Sequence, residues 1–205
     1  MKPFLRSAHT FAVLVALCLL QPIPAQAPRT QADSKLANVV VLIIRHGEKP
    51  DSDEDKGLTP AGQARAKAYV GYFQKYQIAG HPARPDYIFA TADGKKSARE
   101  RLTVAPLSQA LKLPIDNRFA NKDYQGVVDA LRAKRYGSTV LICWHHGKIP
   151  DLIRAFGADP VALIKAAKWP ADQFSWVVQL SFDGKGHLKQ GETKLVEEHL
   201  MPSDH

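Results

Sequence analysis

Arg45-His46-Gly47-Glu48 follows directly on an apolar run at residues 39–44, and His145-His146-Gly147 follows a second run at residues 139–144. An arginine and a histidine at such a place suit phosphoryl chemistry. A phosphoryl group in transfer carries charge on its equatorial oxygens through a loose transition state, so the site must mainly position it and stabilise that charge. Arg45 offers a planar fork that matches phosphate oxygens two at a time. One histidine, kept neutral, could attack phosphorus with a ring nitrogen, provided a backbone carbonyl or similar acceptor holds the other nitrogen as a donor. The glycine that follows lets backbone and ligand approach closely.

The elements that must place these residues read as alternating strands and helices. The β-branched run 39–44 has the pattern of a strand buried on both faces of a parallel sheet. Thr59-Pro60 starts a helix, with a hydroxyl cap and proline at the first helical position, and the helix runs to about residue 76 with Ala61, Ala64, Ala68 and Tyr72 as its packing face. Residues 87–90 form a second strand. Residues 97–111 are helical, with Leu102, Leu107, Ala110 and Leu111 on one side and Pro106 as a kink or restart. A helix at 124–134, a strand at 138–144, a helix at 149–156 and a late strand or hairpin at 175–181, turning at Asp183-Gly184, complete the pattern. This order predicts an α/β fold, a three-layer α/β/α sandwich around a largely parallel central sheet. Such sheets bind ligands beyond the carboxyl ends of their strands, which brings His46 and His146 to one edge despite their separation in sequence.

Arg45-His46-Gly47-Glu48 resembles the signature of the histidine phosphatase superfamily, the phosphoglycerate mutase-like group. The preceding strand, Gly57-Leu58-Thr59-Pro60-Ala61-Gly62, Arg99 four residues before Thr103, and His146-Gly147 after a late strand agree with it in order. The resemblance spans residues 39–153 and implies a phosphoglycerate mutase-like fold. It also implies hydrolysis of phosphomonoesters through a phosphohistidine on His46, with Arg45, Arg99 and His146 gripping the phosphoryl group. The arginine-to-threonine spacing favours Arg99 over Arg101, and the glycine register favours His146 over His145, which is read as a flanking residue. Lys95 and Lys96 lie in a loop that could add substrate contacts or be solvated.

Protonating an alkoxide leaving group needs an acid. The segment 117–123 lacks the glutamate that many members use, and Gly147 stands where another branch has aspartate. Asp123 is the candidate and Glu48 the second choice; Asp123 could equally cap the helix starting at residue 124. A phosphomutase or phosphotransferase, and a non-catalytic phosphate-binding protein, are the alternatives to a phosphatase.

The 205 residues are 45% hydrophobic and 23% charged, ordinary composition for a single domain, and the formal charge of +8 suits an anionic ligand. Lys2 and Arg6 before the apolar run 11–20 have the anatomy of a signal peptide over residues 1–27, cleaved after Ala25 or Ala27. Residues 28–37 then form a linker and 38–205 the domain, exported to the periplasm or secreted. No basic stripe interleaved with aromatics suggests nucleic acid. After signal cleavage no segment suggests a membrane, and the expected partner is a small phosphorylated substrate. Asp51-x-Asp53-x-Asp55 departs from a calcium loop at Lys56 and Gly62, Gly94-Lys95-Lys96-Ser97 departs from a P-loop, and the outlying histidines lack ligand spacing. No cofactor or metal is called for.

Overall fold

A computed structural model describes residues 35–51, 56–95 and 97–204. The signal peptide, most of the linker, most of the acidic stretch 51–55, and Lys96 lie outside the described residues. The chain runs β1 (Val40–Arg45), α1 (Pro60–Gln74), a small ribbon of β2 (Gln77–Ile78) and β3 (His81–Pro82), β4 (Tyr87–Ala90) and α2 (Arg99–Leu111). It continues through β5 (Ile115–Asp116), α3 (Tyr124–Ala133), β6 (Thr139–Trp144), α4 (Ile149–Ala155), α5 (Pro160–Ile164), β7 (Trp176–Ser181) and β8 (Lys194–Glu197). The main sheet has the order β5-β4-β6-β1-β7-β8. Its neighbours are parallel from β5 to β1, and β7 is antiparallel to both β1 and β8, so β7 alone runs against the rest.

The continuous apolar run of β1 is explained by burial on both sides. Val41 and Ile43 pack with Val127, Val128, Leu131, Leu152 and Ile153 of α3 and α4, while Leu42 and Ile44 pack with Tyr69, Phe73, Val104 and Leu107 of α1 and α2. β1 therefore feeds α1 on one face and the adjacent parallel β6 feeds α4 on the other. The chains leaving their carboxyl ends diverge and open a crevice, the switch point at which α/β sheets bind ligands.

Three details differ from the sequence expectations. The buried face of α1 is Gly62, Arg65, Ala66, Tyr69 and Phe73, not the row of Ala61, Ala64, Ala68 and Tyr72. Two aromatics and an arginine with carboxylate partners give the helix more to bury than the alanines do. α2 runs through Pro106 without restarting, because the buried Val104 and Leu107 hold both sides of the proline against the sheet. Its buried face is Arg99, Glu100, Thr103, Val104 and Leu107, with Ala110 exposed. No helix among the described residues is long and apolar enough to cross a membrane.

Candidate active site

Arg45 pairs with Trp144 in the last register of β1 and β6, so the next residues on the two strands, His46 and His145, emerge side by side. His46 is 1% exposed, and its Nδ1 lies 2.7 Å from the Gly47 carbonyl oxygen. A carbonyl can only accept, so Nδ1 carries the proton and Nε2 keeps its lone pair. Burial, assisted by the positive charge of Arg45, lowers the His46 pKa to about 3, which leaves the ring neutral at physiological pH.

The turn holding His46 is pinned from both sides. A Cβ on Gly62 would meet the Glu48 carbonyl oxygen at 2.5 Å, and one on Gly47 would meet the Gly62 oxygen at 3.0 Å. The closeness at Gly47 is thus to the start of α1, where the sequence had suggested room for a ligand. Thr59, the N-cap of α1, donates its backbone N–H to the Glu48 carbonyl at 3.0 Å. On the other side the Gly47 N–H donates to Thr103 Oγ1 at 2.8 Å, and that hydroxyl donates to the Arg99 carbonyl at 2.7 Å. This relay ties the first turn of α2 to the His46 turn. Arg99 is buried there, its Nε donating to the Gly57 carbonyl at 3.2 Å. Arg101 points outward and pairs with Asp93 at 2.7 Å.

Arg45 is held by residues 170–174, a segment with no motif to announce it. Its Nη1 donates to the carbonyls of Ala171 at 2.7 Å, Gln173 at 3.1 Å and Pro170 at 3.3 Å, and the Phe174 ring lies 3.8 Å from its guanidinium carbon. Arg45 Nε is buried with no partner among the described residues. One corner of the fork is thus fixed by protein. Burial lowers the Arg45 pKa only to about 10, so it stays charged.

His145 and His146 both lie at the site, with ring centroids 5.9 and 6.3 Å from that of His46. His145 Nδ1 accepts the Gly147 N–H at 3.1 Å, so the neutral ring presents Nε2–H as a donor. Burial and then the charges of Arg45 and Arg99 lower its pKa. His146 is half-buried, its Nδ1 is buried without a partner among the described residues, and burial brings its pKa to about 4. The sequence reading assigned the pocket to His146 by its glycine; the β1–β6 register puts His145 opposite His46, a signal that strand pairing alone supplies. One nitrogen from each of the three imidazoles lies within 4.8 Å of the others, a spacing a soft cation could bridge. The positive charges of Arg45 and Arg99 also act on these rings, a field that favours an anion over a cation.

The two carboxylates nominated as acid are engaged elsewhere. Asp123 is exposed and caps α3, accepting the Gly126 N–H at 3.1 Å. Glu48 accepts Arg65 Nη2 at 2.7 Å and Nε at 3.1 Å. The same buried guanidinium reaches Glu198 and Asp204, each at 2.6 Å, tying the chain beyond β8 to the His46 turn. Burial opposes the Arg65 charge, but hydrogen bonds to Asp204 and Glu48 outweigh it and hold its pKa above the ordinary value. Lys95 is exposed.

The neutral histidines make a testable demand on stability. Their folded pKa values lie below the unfolded value of about 6.5. As pH falls from there, the unfolded chain binds protons that the folded chain excludes, so stability must fall too. Glu198 opposes this, because burial raises its pKa to about 7 and the folded chain holds a proton that the unfolded chain has lost. Glu100, whose pKa burial also raises, acts in the same sense as Glu198, but three histidines outweigh two glutamates, and the melting temperature should decline between about pH 6.5 and about pH 4.5. His46→Gln should flatten that decline; an equally steep curve in the variant would show that His46 is not the buried neutral base.

No protein-family model matches the chain, and no curated protein is significantly similar to it. Solved structures are. One from Escherichia coli K-12, provisionally named an alpha-ribazole-5'-P phosphatase, is 12% identical and aligns over 78% of this chain and 95% of its own, with a TM-score of 0.51. A provisionally named phosphohistidine phosphatase SixA from Agrobacterium tumefaciens is 20% identical over 78% of this chain and 97% of its own, at 0.49. An H9A variant of Entamoeba histolytica phosphoserine phosphatase, bound to phosphoserine, is 13% identical over 80% and 98%, at 0.46. The chain has the phosphoglycerate mutase-like α/β fold.

Proposed function

We propose that this chain is an exported phosphatase that hydrolyses phosphomonoesters through a phosphohistidine on His46. The observation that carries this reading is the state of His46: Nδ1–H is fixed on the Gly47 carbonyl and Nε2 is unprotonated in a buried, cationic site. Nε2 attacks phosphorus, and Arg45, Arg99 and the His145 and His146 rings bind the equatorial oxygens as charge develops on them. The Gly47 carbonyl then stabilises the imidazolium that forms in the phosphorylated ring. Water removes the phosphoryl group in a second step, and no metal takes part. Export rests on the basic-then-apolar start of the sequence.

The test is to quench the purified protein in acid and in base during turnover of a labelled aryl phosphate. A base-stable, acid-labile label that maps to His46 is the expected result. Turnover without any such species would replace the mechanism with direct attack of water, and the absence of turnover across a panel of phosphate esters would favour a phosphate-binding protein.

A further inference from the structure

Hydrolysis of an alkyl phosphate needs a group that gives a proton to the leaving alkoxide and takes one from water, and Asp123 and Glu48 both hold hydrogen bonds within the fold. Three carboxylates act electrostatically on Arg45: Glu48, Asp172 and Glu100. Glu48 accepts two hydrogen bonds from Arg65. Glu100 is 4% exposed and is held at the start of α2 by the Ser97 hydroxyl at 3.3 Å. Asp172 is different. It is exposed, it makes no hydrogen bond or ion pair with any described residue, and its two neighbours, Ala171 and Gln173, supply carbonyls to Arg45 Nη1 at 2.7 and 3.1 Å. The next residue, Phe174, covers the Arg45 guanidinium and stands 6.3 Å from the His46 ring. Asp172 and Phe174 line one cavity of about 230 Å³, together with Glu48 and Ser175. A carboxylate with no hydrogen bond or ion pair among the described residues thus sits on the segment that clamps Arg45, two residues from the ring that stands 6.3 Å from that of His46.

We infer that Asp172 is the proton carrier of the reaction, an inference that rests on the phosphatase reading above. In the first step the bond between His46 Nε2 and phosphorus forms as the bond from phosphorus to the ester oxygen breaks, and the Asp172 carboxylic acid protonates the departing oxygen. In the second, water attacks phosphorus, its proton passes to the Asp172 carboxylate, and the electron pair of the breaking P–N bond returns to Nε2. The sum is ester plus water giving alcohol plus inorganic phosphate, and Asp172 ends each cycle protonated for the next.

The experiment compares wild type with Asp172→Asn on an alkyl phosphate and on an aryl phosphate with a good leaving group. The substitution preserves shape and removes no hydrogen bond or ion pair among the described residues, and matching melting temperatures would verify that the fold is kept. It should slow the alkyl ester by on the order of a hundredfold or more, since general acid–base catalysis contributes about that much. The first turnover of the aryl ester needs no acid and should be far less affected. Later turnovers should stall with phosphohistidine accumulating, because water has lost its base. A merely structural role for Asp172 would slow both esters together and build up no intermediate. An unchanged alkyl-to-aryl ratio without accumulation overturns the assignment, as does a collapse of the ratio in Asp123→Asn or Glu48→Gln in place of Asp172→Asn. Wild-type protein that turns over neither ester refutes the phosphatase reading itself and this inference with it, an outcome distinct from the others.

Discussion

Alanine at position 46 should bring phosphate-ester turnover down to background, a loss on the scale of a millionfold, as when a covalent nucleophile is deleted from a hydrolase that works through it. The size follows from what the ring does. On the proposed mechanism Arg45, Arg99 and the His145 and His146 rings bind the group being transferred, but none replaces a nitrogen lone pair that the Gly47 carbonyl leaves unprotonated by holding the proton on Nδ1. The variant should keep its phosphate-binding groups, because Arg45 is anchored to the carbonyls of residues 170–173 and Arg99 to the Gly57 carbonyl, neither through His46. Inorganic phosphate should therefore still raise its melting temperature by mass action. Retained phosphate stabilisation with no turnover and no labelled histidine is the expected combination. Normal turnover by the alanine variant would sink the phosphohistidine mechanism.

The parts of the fold legible in the sequence are those whose burial shows as periodicity. β1 and β6 are solidly apolar because helices cover both their faces, and Thr59-Pro60 announces α1 because capping and proline geometry are local rules. The short strands β2, β3, β5 and β8 were not legible. A two-residue strand has no period, and β8, with exposed or half-buried residues at an edge, has no buried face to mark it. The face of α1 was misread for a related reason. Small residues look like a packing stripe until a buried arginine finds Glu198 and Asp204 from beyond β8, partners that no local window contains.

The site divides the same way. His46 and Arg45 could be found because their side chains are of types that suit phosphoryl chemistry and the turn that carries them directly follows a strand. The clamp on Arg45 could not, because it consists of backbone carbonyls from Pro170, Ala171 and Gln173, and every residue type has a carbonyl. His145 was passed over because a glycine after a histidine is visible in sequence and a strand register is not. Asp123 was nominated for its place in the chain, and its carboxylate is turned to the Gly126 N–H.

The two arginines at the start of α2 offer the sharpest test of whether the geometry, and not overall charge, makes the site. Arg99 and Arg101 carry the same charge two residues apart, and a basic surface that merely attracts anions would feel the loss of either one alike. They differ in placement. Arg99 is 8% exposed, its carbonyl is joined to the His46 turn through Thr103, and His145 responds to its charge. Arg101 is paired with Asp93 at 2.7 Å on a side chain that is 36% exposed, where water screens it. Arg99→Ala should therefore cost on the order of a hundredfold to a thousandfold in turnover, the scale of removing one donor to a developing oxyanion. The loss should fall equally on alkyl and aryl esters, because the equatorial oxygens need the guanidinium whatever group departs. Arg101→Ala should stay within about threefold, since exposed pairs of this kind are worth roughly 0 to 1 kcal/mol. Steady-state rates for the two variants, measured at low and high salt, decide the matter. A crippled Arg101→Ala beside an active Arg99→Ala would mean that the first turn of α2 presents the other arginine to the phosphoryl group, and equal modest losses that fade with salt would reduce both to general electrostatic attraction.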